Sequence, residues 1–119
     1  MSLKARAARA GLLPGTLDLL VLDTLRSGPL HGYGIAQLIR VHTSEVVDVD
    51  AGSLYPALHR LERQGLVRAE WTTSDKKQRT RQYRLTTAGR RRLATERSKW
   101  QQMSAAISSL LNRPRGGEV

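Results

Sequence analysis

The sequence predicts a mainly helical α+β protein with one small core, a two-stranded hairpin past its middle and a long helix at its C-terminal end. Apolar residues recur at helical spacing in several segments, separated by Gly and Pro. Two β-prone runs, residues 66–71 and 81–86, bracket a polar segment. The chain contains no Phe, and its apolar content is mostly Leu, Ala and Val, which suits a helical core better than a sheet sandwich. At 119 residues it has room for one domain.

Residues 1–11 read as a flexible basic arm rich in Ala and Arg. Pro14-Gly15-Thr16 then opens a first helix with Thr16 as its N-cap, and Leu17, Leu20, Val21 and Leu25 define its buried face. Gly28-Pro29 stops it. A second helix runs from near His31 to about His42, with Ile35, Leu38 and Ile39, joined by Tyr33, on its apolar side and Gln37 and Arg40 outward. Val46, Val47 and Val49 form a short β-prone stretch. Asp50 is the N-cap of a third helix ending at Gly65, where a C′ glycine belongs.

On this third helix Leu54, Ala57, Leu58 and Leu61 share one face. The opposite face collects Gly52, Pro56, His59, Arg60 and Arg63, with Ser53 and Tyr55 at its edges. Pro56 forgoes a hydrogen bond to Gly52, which is tolerable so near the N-terminus. Residues 72–80 form a polar, basic hairpin tip longer than a tight turn requires. Trp71, at the end of the first strand, is expected to pack. Thr86 or Thr87 caps a final helix continuing to about Leu111, and Pro114 and Gly116-Gly117 end the ordered part. Residues 113–119 are expected to be a disordered tail.

Composition narrows the chemistry. Twenty Lys and Arg oppose ten Asp and Glu, a net charge of +10. A polyanionic partner follows, with nucleic acid first among the candidates. There is no Cys, so disulfides and Cys-ligated zinc are excluded. The longest apolar stretch, Leu17 to Leu25, is interrupted by Asp18 and Asp23, which argues against a membrane span or a signal peptide and for a cytoplasmic protein. His31, His42 and His59 lack metal-ligand spacing; His31 is expected to cap or pack at a helix start. No catalytic triad, carboxylate pair or phosphate-binding glycine loop can be assembled, so no enzyme, metal or cofactor is expected.

Two helices, a third amphipathic helix and a basic hairpin make the winged helix-turn-helix arrangement over residues 12–86. In such folds the third helix enters the major groove and the wing touches the DNA backbone or minor groove. The outer residues Gly52, Ser53, Tyr55 and Pro56 are small or carry one hydroxyl, so backbone and DNA can approach closely. His59 faces outward near the DNA, and Arg60 and Arg63 suit flanking phosphates. Lys76, Lys77, Arg79 and Arg81 put cations on the wing. Any one of these cations is equally well a solvated surface residue; the set, on these two elements, points to double-stranded DNA.

The sequence resembles the PadR family of bacterial transcriptional regulators. The matching residues are Leu13-Pro14-Gly15-Thr16-Leu17, Gly28-Pro29-Leu30-His31-Gly32-Tyr33-Gly34-Ile35 and Gly52-Ser53-Leu54-Tyr55-Pro56-Ala57-Leu58-His59-Arg60-Leu61-Glu62. Gly65-Leu66-Val67, Arg81-Gln82-Tyr83-Arg84-Leu85-Thr86 and Gly89 complete them. The likeness spans roughly residues 12–112. It implies a repressor that dimerises through its C-terminal helix and binds an inverted-repeat operator of its own gene or a neighbouring operon. It also implies Tyr55 and the outer third helix at the major groove, Lys76 to Arg79 on the wing, and in several members release by a small aromatic compound. The chain resembles the short subfamily, with a single C-terminal helix.

That helix, residues 87–112, carries its own dimer signal. Leu93, Trp100 and Ile107 lie seven apart, Met103 and Leu110 add the second line of a heptad seam, and Leu111 widens it. Leu17 of the first helix is placed beside this seam. In multidrug-sensing PadR-like regulators a tryptophan at the place matching Trp100 stacks on flat ligands at the dimer centre; a plain dimer-core aromatic is the other reading. Two further readings of the whole chain stay open: a non-specific architectural nucleic-acid binder, and a winged helix whose basic face docks on an acidic protein.

Overall fold

A computed structural model describes residues 15–116; the expected basic arm at 1–11 and the end of the expected tail at 117–119 lie outside them. The described chain forms α1 (Thr16–Thr24), a 3-10 turn (Leu25–Ser27), β1 (Leu30–His31), α2 (Gly32–His42), α3 (Ala51–Arg63), β2 (Val67–Thr73), β3 (Arg79–Leu85) and α4 (Thr87–Leu111). The antiparallel sheet has the order β1-β3-β2.

The start of α1 corrects one expectation. Gly15, in the left-handed conformation at φ 87°, is the N-cap, and no side chain caps the helix, so Thr16 is its first helical residue. The buried face is also turned. Val21, Leu22 and Leu25 are buried, while Leu17 and Leu20 are only partly covered. Because α1 packs against α2, α3 and α4 together, its central residues go under and its flanks meet the seams between neighbours.

His31 caps α2 by accepting a hydrogen bond from the Gly34 N–H at 3.0 Å. Tyr33 is not on the apolar side: it is 70% exposed, its ring beside that of His31. Two residues along a helix turn the side chain about 200°, so Tyr33 faces away from the stripe that Ile35 and Ile39 bury. The β-prone stretch at Val46 to Val49 forms no strand. Ser44 and Glu45 take left-handed conformations there, and the Thr43 hydroxyl bridges the Ile39 carbonyl and the Val47 N–H, leaving Val49 to reach the core. The short strand is β1, where Leu30 pairs with Tyr83 and His31 with Gln82.

Asp50 caps α3 through the Ser53 N–H at 2.9 Å, and Leu54, Ala57, Leu58 and Leu61 are buried as their spacing requires. The helix ends in a Schellman motif: Gly65 is left-handed at φ 75°, its N–H reaches the Glu62 carbonyl, and the Leu66 N–H reaches that of Leu61. The hairpin strands run further than their apolar residues suggest. The ladder continues to Thr73↔Arg79 because the Thr72 and Thr80 hydroxyls pair across it at 3.0 Å. The tip is therefore a short turn: the Lys77 N–H donates to the Ser74 carbonyl, and Lys77 is itself left-handed at φ 59°.

Thr86 starts α4. Its hydroxyl accepts from the Gly89 N–H at 3.0 Å and donates to the Gly65 carbonyl at 2.6 Å, while its own N–H donates to the Leu66 carbonyl. Leu93, expected in the dimer seam, instead belongs to the core of its own chain at 5% exposure, because the first turns of α4 lie on the domain. Beyond Leu93 no residue of α4 is buried. A Cβ on Gly89 would stand 2.0 Å from the Leu66 carbonyl oxygen, which is backbone and cannot rotate aside. Gly89→Ala is therefore expected to lower stability by about 1–3 kcal/mol, the usual range for overpacking. A urea midpoint equal to the wild type would show that α4 shifts without cost.

Candidate nucleic-acid interface

The cap and the leucine face of α3 decide which of its residues look outward. Gly52, Tyr55, Pro56, His59 and Arg63 are exposed, and Ser53 and Arg60 partly so. Ser53 keeps its hydroxyl while its backbone N–H is taken by Asp50. Tyr55 is seated on Gly32, the first residue of α2: a Cβ there would meet the Tyr55 Oη at 2.5 Å. Gly32 thus shapes the outward face of α3 from another helix. The His-Gly-Tyr-Gly string signals a special backbone approach at that point, but the sequence does not name the ring that occupies it.

The cations divide into two kinds. Arg60 is paired with Asp18 of α1, so it ties α3 to α1. Arg81 Nη2 meets Glu62 Oε2 at 3.0 Å and braces the base of the wing against the end of α3. The Arg81 guanidinium also lies 5.8 Å from the Trp71 ring centre and 6.0 Å from that of Tyr83. Burial pushes the Tyr83 phenol above its ordinary pKa, with the Arg81 charge opposing, so this hydroxyl stays neutral at physiological pH. Arg63, Lys76 and Lys77 have no ion-pair partner among the described residues and stand in solvent.

Trp71 departs from the packing role expected of it. It is 58% exposed on the hairpin, with the Arg79 guanidinium 4.7 Å from its ring centre. The sheet is covered only near its base, where Val67, Tyr83 and Leu85 meet the core, and Trp71 lies beyond that cover.

A second feature lies along α4. Trp100, Met103, Ile107, Leu110 and Leu111 are exposed, an apolar stripe without cover. Trp100 also walls a cleft of about 360 Å³ with Leu19 and Leu20 of α1, Val47 and Arg97. Leu17 is partly buried against the core. Among the described residues no group of His, Asp or Glu is placed to hold a metal ion, and no helix is long and apolar enough to cross a membrane.

Gly32→Ala is expected to push Tyr55 off its seat. Because the clash is with the far end of a movable ring, stability should change by less than about 1 kcal/mol, whereas affinity for duplex DNA should fall. Unchanged affinity would mean that the position of Tyr55 does not matter to DNA binding.

Comparison with known proteins agrees with this geometry. The model of the transcriptional regulator PadR-like family matches residues 21–95, from α1 into α4. Transcriptional regulator Rv3488 of Mycobacterium tuberculosis is 34% identical over 87 residues, covering 73% of this chain and 78% of that protein. An uncharacterized 37.1 kDa protein in transposon TN4556 of Streptomyces fradiae is 39% identical over 90 residues; these are 76% of this chain but 24% of that longer protein. A PadR family transcriptional regulator from Eggerthella lenta superimposes with a TM-score of 0.70 at 34% identity, over 84% of this chain and 85% of that one. A transcriptional regulator from Clostridium thermocellum does so with a TM-score of 0.72 at 28% identity, over 80% and 92% of the two chains. With its winged-helix fold and its match to regulators rather than enzymes, the chain belongs to the PadR-like family of transcriptional regulators.

Proposed function

We propose that the protein binds an inverted-repeat operator as a homodimer and represses its own or a neighbouring operon from the cytoplasm. The outward face of α3 carries this reading: small and hydroxyl-bearing residues from Gly52 to Pro56 lie at its capped N-terminus, with Arg63 at its far end and open cations on the adjoining wing. Such a helix admits close approach of the major groove, while the cations meet phosphates. Residues 12–86 form the DNA-binding unit and residues 87–112 the dimerisation helix.

The unpartnered stripe on α4 supports the dimer. Its 25 residues extend roughly 37 Å at 1.5 Å per residue, and only the first turns are covered by the domain. Trp100, Met103, Ile107, Leu110 and Leu111 present the heptad-spaced apolar surface that a second copy would bury. A two-fold dimer would set its recognition helices about 34 Å apart, one turn of DNA. The cleft beside Trp100 supports a small flat aromatic effector that loosens this dimer and releases DNA. A non-specific architectural role remains the competing reading, favoured by the net charge of +10.

A gel shift against the protein's own upstream region and a scrambled duplex of equal length separates the two. Sequence-specific repression requires about 10³-fold or greater preference for an operator. Equal, steeply salt-dependent binding to both duplexes would mean that the operator lies elsewhere or that the role is architectural, and a selection from random DNA that yields no preferred sequence would establish the latter. Lys77→Ala and Arg79→Ala should each weaken binding to every sequence and reduce the salt slope by about one for each phosphate that is no longer neutralised. A slope that does not move would remove them from the interface. Trp100→Asp should give monomers by sizing with light scattering, and a persistent dimer would refute its place in the seam.

A further inference from the structure

We propose that Trp71 is a positioning residue of the wing, holding Arg79 fixed relative to α3 so that this one wing cation meets the DNA backbone already ordered. The proposal rests on the DNA-binding reading above. Trp71 stands directly opposite Arg81 across the hairpin, and Arg79, opposite Thr73, lies two residues further toward the tip. Side chains two apart on a strand share a face, so Trp71, Arg79 and Arg81 lie on the same side of the ribbon. This is also the side on which Val67, Tyr83 and Leu85 enter the core.

A continuous series of contacts follows along that face. Glu62 of α3 holds Arg81 at 3.0 Å, Arg81 lies 5.8 Å from the Trp71 ring centre, and Arg79 lies over the same ring at 4.7 Å. Each guanidinium is within the range in which the negative face of an indole attracts a cation. Arg79 is thereby linked to the recognition helix through side chains rather than through the hairpin tip. Lys76 and Lys77 at the tip have no such support. Fixing an arginine costs rotamer entropy, so one held before binding loses less when it meets a phosphate. A large exposed indole on a cationic wing acquires a purpose in this arrangement that core packing does not supply.

The test is a fluorescence-anisotropy titration of a labelled mixed-sequence duplex with the full-length protein, Trp71→Leu, Trp71→Phe, Arg79→Ala and the Trp71→Leu/Arg79→Ala double variant. Trp71→Leu should weaken binding about two- to fivefold, the strength of an exposed cation–π pair. Trp71→Phe, which keeps an aromatic face, should recover most of that loss. In the Arg79→Ala background Trp71→Leu should add nothing, a coupling that general loss of structure would not produce. In the free protein, an upfield ring-current shift of the Arg79 side-chain resonances should vanish in Trp71→Leu. Wild-type affinity in Trp71→Leu, or losses that multiply in the double variant, would overturn the proposal while leaving DNA binding intact. A wild-type protein that bound no duplex would overturn the DNA-binding reading, and this proposal with it.

Discussion

Three elements meet on two residues of backbone, Gly65 and Leu66, and the placement of the candidate interface depends on how they are joined there. The left-handed Gly65 ends α3, and the Leu66 N–H closes its last turn. The carbonyls of the same two residues then receive the hydroxyl and the N–H of Thr86, the residue that caps α4. Gly89, lacking a side chain, lets the first turn of α4 lie directly on the Leu66 carbonyl. The end of α3, both roots of the hairpin and the start of α4 are thus held by hydrogen bonds between groups that have little freedom to move. Displacing one of them would break several of these hydrogen bonds at once, each contributing about 0.5–1.5 kcal/mol.

The charge surplus gains meaning from the way it is divided. Arg60 and Arg81 are spent on Asp18 and Glu62, where they fasten α3 to α1 and to the wing. These partly exposed pairs contribute little to stability by themselves, but the Arg81–Glu62 pair links the two elements expected to touch DNA, α3 and the wing. Arg63, Lys76 and Lys77 remain open to solvent. A polyanion would displace counterions from such open side chains readily, and would have to compete with a carboxylate for the braced ones.

Along α4 the same division appears in apolar form. Leu93 is consumed by the domain, and the stripe from Trp100 onward is left over. A helix of this length exceeds what so small a core can cover. The uncovered half adjoins the cleft at Trp100, so any molecule bound there would lie next to the surface on which a second copy is proposed to sit.

Local chemistry within a few residues determined much of this protein. The Asp50 and Thr86 caps, the left-handed Gly65, the leucine face of α3 and the positions of the hairpin and long helix were all legible in the sequence, because caps, breakers and helical periodicity act over a turn or two. Tertiary structure decided what depends on residues far apart in the chain. The Val46–Val49 stretch lacks a strand because no neighbour offers it a ladder, whereas the two residues of β1 become a strand because β3 does. Leu17 and Leu20 yield the centre of the core to Leu22 because α1 has neighbours on several sides. Periodicity marked Leu93 as apolar but could not say whether its own core or another molecule would cover it. Nor could a count of cations show that Arg60 and Arg81 are braces, or that Trp71 carries an arginine on its face. Each of those outcomes is set by which side chain the fold brings within about 4–6 Å, the range of ion pairs and cation–π contacts.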